Sequence, residues 1–377
     1  RAQLEGCPIV LGSATPSLET VSNVVSGRFQ RFTLSTRASA ATLPTWQITD
    51  VRQQHLKAGL SLALIKACQD TLNKKEQALL FLNRRGFAHT LLCHDCGWVA
   101  HCDHCDSRMV IHKRQNKLRC HHCQAQKSLP KNCPNCHSHQ WQGVGYGTER
   151  AELALQGLFP NTPIYRIDSD TVSSAAQLDT VLQAINDNKN GCLILGTQML
   201  AKGHDLARVT LVGIVDTDAL LFSSDFRAEE RLTQLLTQVS GRSGRGSRQG
   251  SVMLQTHHPE ADIFHQVIHQ DYWEIARSIL AARQNNGLPP FGQLVMMHAD
   301  SKDPSEAERF LALARQTLNS ILPNSHLLIG PLPAPLSKRA GKFRYQLTWL
   351  APHEKNLHRF ANVIADTLTR LPHKHEL

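Results

Sequence analysis

Residues 192–221 read CLILGTQMLAKGHDLARVTLVGIVDTDALL. Two apolar runs, CLILGTQ and VTLVGIVDTDALL, flank a polar stretch that contains a glycine. Neither run alternates apolar with polar residues. Strands written this way are buried on both faces, as in a parallel sheet covered by helices. The same rhythm continues on either side. GYGTERAELALQGLF (145–159) predicts a glycine turn and a helix, PIYRIDSD (163–170) a strand, and AAQLDTVLQAINDNK (175–189) a helix. Downstream, RAEERLTQLLTQVSGRSGR (227–245) predicts a helix and SVMLQT (251–256) a strand. Upstream lie a helical stretch at 62–77 and a buried strand, ALLFLN (78–83), that ends at the turn NRRG. CPIVLG (7–12) also reads as a buried strand. It leads into SATPSLETVSNVV, where Thr15 can cap a helix that has Pro16 at its first position. Residues 26–60 read as a polar connector with one short strand around TWQITDV. The fold class is α/β, a parallel sheet with helices on both faces, and ligands in such sheets sit at the carboxyl ends of strands.

Composition narrows the partners. No apolar run approaches the ~18 residues of a membrane span, and no secretory leader is visible. The chain opens on Arg1 rather than methionine, so a piece of a longer protein is expected. Lys and Arg number 41 against 31 acids, a formal charge of +10. That balance suits a polyanion such as nucleic acid, although a generally basic protein would show it too. If eight cysteines bind two zinc ions as thiolates, the charge falls to about +6. Of the 11 cysteines, Cys7, Cys68 and Cys192 lie in apolar or helical surroundings and read as buried fillers.

The other eight form four CxxC pairs within CHDCGWVAHCDHCDSRMVIHKRQNKLRCHHCQAQKSLPKNCPNC (93–136). With no secretion signal, metal binding fits better than disulfides. Structural zinc takes four tetrahedral ligands and a CxxC supplies two, so eight cysteines make two closed sites. RMVIH and KLRC read as a hairpin around KRQN, which pairs Cys102 and Cys105 with Cys120 and Cys123. Cys93 and Cys96 then pair with Cys133 and Cys136 outside it. A sequential scheme, 93/96/102/105 with 120/123/133/136, is the alternative. The module's eight histidines, His94 to His139, read as surface or supporting groups. With every position closed by sulfur there is no place for a catalytic water, so the module is structural or a binding surface. Trp98, Lys113, Arg114, Lys117 and Arg119 could contact a nucleic-acid strand by stacking and phosphate attraction. Solvation of an exposed hairpin accounts for those charges equally well.

QVSGRSGRG (238–246) is the sharpest signal in the α/β part. On a continuous helix Gln238, Arg242 and Arg245 share a face. Two guanidinium groups there suit a nucleotide's γ-phosphate, and Gly241 and Gly244 would weaken a merely solvated helix. GTQMLAKGHDL (196–206), GSATPS (12–17), NRRG (83–86) and GYGTER (145–150) are weaker candidates at turns, where backbone and hydroxyl groups can meet a phosphate.

Together these motifs resemble those of superfamily 2 helicases: GSATPS their motif III, GTQMLAKGHD their motif V, QVSGRSGR their motif VI. The eight-cysteine insertion after NRRGF, with DFRAEERLTQLLTQVSGR, LQTHHPE and PPFG, is similar to the PriA (primosomal protein N′) family. The resemblance implies a RecA-like motor lobe with an inserted two-zinc ribbon module and a small α+β carboxyl-terminal domain. It implies an ATP-dependent 3′–5′ DNA helicase of the bacterial cytoplasm and nucleoid, which recognises stalled or branched forks and starts primosome assembly. Arg242 and Arg245 would contact the γ-phosphate, with Arg245 as arginine finger and Gln238 orienting the site. Gly203 and Asp205 would link nucleotide to DNA, and Ser13, Ala14 and Thr15 would couple hydrolysis to movement. Asn83, Arg84 and Thr197 would touch the DNA backbone. Two zinc ions and ATP with Mg²⁺ are the implied cofactors. Branched and single-stranded DNA, single-strand DNA-binding protein, PriB, DnaT, and the replicative helicase and its loader are the implied partners.

One departure stands out. The chain contains neither a GxxxxGK[ST] loop nor a DExH box, which hold the phosphates and Mg²⁺. In the family they precede GSATPS, so the 377 residues alone are expected to be inactive. The expected division is 1–30 as the end of a first motor lobe and 31–60 as a connector. The second lobe takes 61–92 and 140–258, the zinc module 93–139, and the α+β domain 259–377. A zinc-ribbon nucleic-acid adaptor without a motor is the alternative.

Overall fold

The computed structural model describes residues 2–34, 43–57, 59–82, 90–104, 108–112, 117–120, 125–142, 148–168, 171–172, 174–197, 206, 208–215, 217–223, 225–244, 249–339, 341–352 and 357–372. The first elements are α1 (Ala2–Glu5), α2 (Leu18–Val25), β1 (Thr45–Asp50), α3 (Leu62–Asn73) and β2 (Gln77–Leu82). The cysteine module follows with β3 (Leu92–Cys93), β4 (Met109–His112), β5 (Lys117–Cys120), β6 (Gln126–Ser128) and β7 (Trp141–Gln142). Then come α4 (Thr148–Leu158), β8 (Ile164–Ile167), α5 (Ala175–Asp187), β9 (Cys192–Gly196), β10 (Val209–Val215) and α6 (Asp218–Leu221). Next are α7 (Ala228–Ser240), β11 (Ser251–Thr256), α8 (Asp262–His269) and α9 (Tyr272–Asn285). The chain closes with β12 (Gly292–Ser301), α10 (Pro304–Ile321), β13 (Leu327–Arg339), β14 (Lys342–Pro352) and α11 (Leu357–Arg370).

Six strands form one parallel sheet in the order β1-β11-β10-β2-β9-β8. All of QALLFL in β2 is buried, and its side chains divide between two cores. Leu79 and Phe81 join Leu232 and Leu236 of α7, Ile275 and Ile279 of α9, and Leu18 of α2. Ala78, Leu80 and Leu82 join Leu64 and Cys68 of α3 and Ala151 and Leu155 of α4. This two-sided burial is what an unbroken apolar strand encodes. Each fully buried Leu or Phe contributes about 1.5–3 kcal/mol. Gly213 in β10 lets α3 approach, since a Cβ there would lie 2.7 Å from Leu80 Cδ2 and 2.9 Å from Leu64 Cδ1.

Several expectations are corrected. Residues 7–12 form no strand and are exposed, Cys7 with them, because no described strand pairs with them. Cys68 and Cys192 are buried, which pushes both thiols up to about 12. TWQITD is more than a strand in a connector, since β1 is an edge of the main sheet in parallel register with β11. Helix α2 is capped by Ser17, whose hydroxyl accepts from the Thr20 amide at 3.3 Å, so Thr15 is left for another role. Ile263 and Phe264 of α8 and Tyr272 and Ile275 of α9 lie in the sheet's core. Those helices therefore pack with the α/β body, and a change of character at residue 259 is too early.

The following antiparallel sheet, β12-β14-β13, carries α10 and α11 on one face. Trp349 is fully buried at its centre, among Leu311, Leu318 and Ile364.

Candidate metal centre and helix-docking site

The outer cysteines come together. Cys93, Cys96, Cys133 and Cys136 hold their sulfurs within 4.8 Å of one another, with 3.6 Å between Cys93 and Cys136 and between Cys96 and Cys133. Tetrahedral zinc at about 2.3 Å from each sulfur needs sulfurs about 3.8 Å apart, whereas a disulfide needs about 2.05 Å. The donor set therefore fits a zinc ion. The two CxxC turns are alike. The Gly97 amide donates to the Cys93 carbonyl, the His137 amide to the Cys133 carbonyl, each at 2.9 Å. Gly97 and His137 both take the left-handed conformation, at φ 74° and 60°. Burial opposes ionisation of Cys96, but the Asn135 side chain and the Trp98 amide overcome it and bring the thiol down to about 7.

Of the inner set, Cys102 and Cys120 are buried in a small core with Leu91, Met109 and Leu118. Strands β4 and β5 form the expected hairpin, Met109 opposite Cys120 and His112 opposite Lys117, and β6 adds an unforeseen third strand. Cys105 and Cys123 lie outside the described residues, as do Lys113 and Arg114. Arg119 does not point to solvent. It is 7 % exposed and donates to Glu308 of α10 at 3.0 Å.

The end of α7 lies at the edge of the sheet opposite the cysteine module. In a parallel sheet each helix runs back against the strands, so the end of α7 reaches their amino ends. The Gly244 amide donates to the Val209 carbonyl at 3.0 Å, which ties the SGRSG turn to the start of β10. A Cβ on Gly250 would lie 2.5 Å from the Ser243 carbonyl carbon, so only glycine lets the returning chain cross the turn there. Helix α7 stops at Ser240. The face expected to carry Gln238, Arg242 and Arg245 on one helix is therefore broken. Arg242 is 4 % exposed in the turn, and Arg245 lies outside the described residues. The reason is local: Gly241 caps the helix and Gly244 has φ 71°. Thr197 is buried at the carboxyl end of β9. Asn83, Arg84, Gly203 and Asp205 lie outside the described residues, so NRRG and most of GTQMLAKGHD have no structural account.

The GSATPS segment meets α7. Gln238 Nε2 donates to Thr15 Oγ1 at 2.5 Å, Gln234 Nε2 donates to the Thr15 carbonyl at 3.4 Å, and the Tyr272 hydroxyl donates to the Pro16 carbonyl at 2.7 Å. Burial pushes the Tyr272 phenol up to about 12, so it stays a donor. Ser13 Oγ accepts from the Thr15 amide at 3.1 Å, and both Ser13 and Ala14 are exposed. Beneath lies a buried carboxylate. Glu230 accepts from the Leu18 amide at 3.0 Å and from Arg283 Nη2 at 2.7 Å. Arg227 bonds Glu19 across the same joint. Glu230 and Arg283 were missed in the sequence because their partners are remote. An acid and a base on otherwise core-facing helices are the only hint.

Similarity to known proteins bears on the whole. Residues 284–375 match the family described as primosomal protein N C-terminal domain, and residues 102–127 the PriA DNA helicase Cys-rich region. The replication restart protein PriA of Haemophilus influenzae is 43% identical over 358 residues, 95% of this chain. The chain belongs to the PriA family. The same-named protein of Bacillus subtilis is 34% identical over 92% of the chain, and that of Rickettsia conorii 37% over 96%. The matches take 49%, 43% and 55% of those relatives, so the chain spans about half the length of the curated relatives it matches. The Cys-rich match falls on the inner cysteines and their hairpin.

Proposed function

We propose that this chain forms part of an ATP-dependent 3′–5′ DNA helicase that recognises stalled or branched replication forks and initiates primosome assembly. The parallel sheet with its helices is the second motor lobe, the cysteine module an insertion in it, and the antiparallel sheet with α10 and α11 the carboxyl-terminal unit. The observation that carries this reading is the bond from Gln238 to Thr15. It joins the QVSGR helix, whose end carries Arg242 and leads to Arg245, to the GSATPS segment. A shift of the arginines on loss of the γ-phosphate would move Thr15 directly.

In this reading Arg242 and Arg245 stabilise charge on the transferring phosphoryl group, as guanidinium groups do in phosphoryl transfer. Gln238 holds the coupling contact, and Ser13, Ala14 and Thr15 carry it onward. Gly203 and Asp205 link nucleotide to DNA, and Asn83, Arg84 and Thr197 hold the strand. Mg²⁺, when bound with ATP, neutralises charge on the β- and γ-phosphates. The zinc ions crosslink the module and leave its surface for DNA or primosome partners. The test uses the full-length protein on a forked duplex. Strand separation that requires ATP supports the reading. DNA binding with no ATP-dependent separation overturns it.

A further inference from the structure

The cysteine module is tied to the carboxyl edge of the sheet by a chain of polar groups that neither the metal nor the motor motifs use. His94 lies between two cysteines of the outer cluster, and its Nε2 donates to the Gln54 carbonyl at 2.8 Å, just past β1. Its Nδ1 lies 3.0 Å from Nε2 of His257, just past β11. His257 Nδ1 lies 2.7 Å from Asp218 Oδ2, and the His257 amide donates to the same oxygen at 3.1 Å. Thr256 Oγ1 donates to the other oxygen of Asp218 at 2.5 Å. His257 is 1% exposed and Asp218 7%, so the bonds among Asp218, Thr256 and His257 are shielded from water, while those of His94 are half-buried.

The backbone is fitted as closely. A Cβ on Gly97 would lie 2.8 Å from the His257 carbonyl oxygen and 3.3 Å from Arg52 Cδ. The Gln53 amide donates to the His94 carbonyl at 3.4 Å, and Thr90 Oγ1 to the Phe222 carbonyl at 3.3 Å. Asp218 opens α6, which packs on α7, so the chain of bonds ends at the helix pair that leads to Gln238.

We infer that Asp218, His257 and His94 form a strut that holds the outer four-cysteine turn in register with the sheet, making His257 a positioning residue for the metal in that turn. The inference rests on the reading that the outer cluster binds zinc. The strut keeps Cys93 and Cys96 placed while Cys133 and Cys136 close over them. Without it the turn can swing from the sheet and open the site to a competitor. A buried hydrogen-bonded pair of this kind contributes on the order of 1.4 kcal/mol, a factor of ten in an equilibrium.

The test measures zinc release to a colorimetric chelator from the zinc-loaded full-length protein. In His257→Phe, which fills the volume but makes no bonds, one of the two ions is expected to leave about tenfold faster while the other keeps its rate. His257→Gln, which returns an amide to the Nε2 position, is expected to restore most of the difference. Leu64→Ala weakens the distant face of the sheet and is expected to lower the melting temperature without changing release. Equal release from wild type and His257→Phe in folded protein overturns the strut, as does acceleration in Leu64→Ala matching that in His257→Phe. If His257→Phe does not fold, Asp218→Asn carries the same expectation. Wild type that binds no zinc at the outer cluster refutes the metal reading itself, and the strut with it.

Discussion

Replacing Glu230 by leucine removes the carboxylate that joins α2, α7 and α9. Glu230 and Arg283 have side chains only 4% and 3% exposed, so the change strands a guanidinium in the core. Removing one partner of a buried ion pair costs about 3–5 kcal/mol, because the other charge stays desolvated. Arg283 also donates to the Pro289 and Phe226 carbonyls, at 3.2 and 3.3 Å, which places the cost near the lower end. The Leu18 amide loses its acceptor as well. At roughly 2–4 °C per kcal/mol for a body of this size, a cost of about 3 kcal/mol lowers the melting temperature by about 6–12 °C. The double variant Glu230→Leu/Arg283→Met has no stranded charge. It should be about 2 kcal/mol more stable than Glu230→Leu alone, since apolar replacement of a whole buried pair is often neutral. Urea unfolding of wild type, both single variants and the double gives the coupling. Single effects that add to within about 0.5 kcal/mol would refute the claim that these two residues form one unit.

Three further outcomes follow from the same geometry. Metal analysis of protein purified under reducing conditions should give about two zinc ions per chain, and Cys93→Ser should lose one of them; one ion or none in the wild type contradicts the two-site assignment. Gly97→Ala should destabilise by about 1–2 kcal/mol from the left-handed backbone alone, with more from the clash at the His257 carbonyl, read by thermal unfolding; an unchanged melting temperature would show that the turn does not press on the sheet. Burial of Glu19 is outweighed by its bond to Arg227, which holds its carboxyl below the usual value of 4.5. Its contribution is therefore complete above that value and is lost as pH falls through the lower folded value. Glu19→Gln should flatten the stability profile below about pH 4.5, and identical slopes in the two proteins would contradict it.

The sheet was legible because its strands are apolar on both faces, so QALLFL, CLILG and VTLVGIV needed no partner to be recognised. CPIVLG has the same character and forms no strand, since an apolar run specifies burial but not the strand beside it. TWQITD was readable as a strand, yet its parallel place next to β11, about 200 residues away, leaves no local trace. The end of α7 was written in Gly241 and Gly244, but helical spacing was carried through them to Arg245. The cysteine spacing named both candidate ligand sets, and the outer four lie together. What could not be read were the joints, Glu230 with Arg283 and Asp218 with His257 and His94. Each depends on groups brought together by tertiary folding, where a single polar residue on a buried surface is the only signal.

The end of α7 is where a motor and a mere adaptor differ most directly. In the full-length protein, Arg245→Ala should reduce DNA-stimulated ATP hydrolysis on the order of 10³-fold or more, the scale of an arginine finger, with melting temperature and zinc content unchanged. An unaltered rate in a folded, zinc-loaded variant would contradict the motor reading and favour a zinc-ribbon adaptor that binds nucleic acid without using ATP through this lobe.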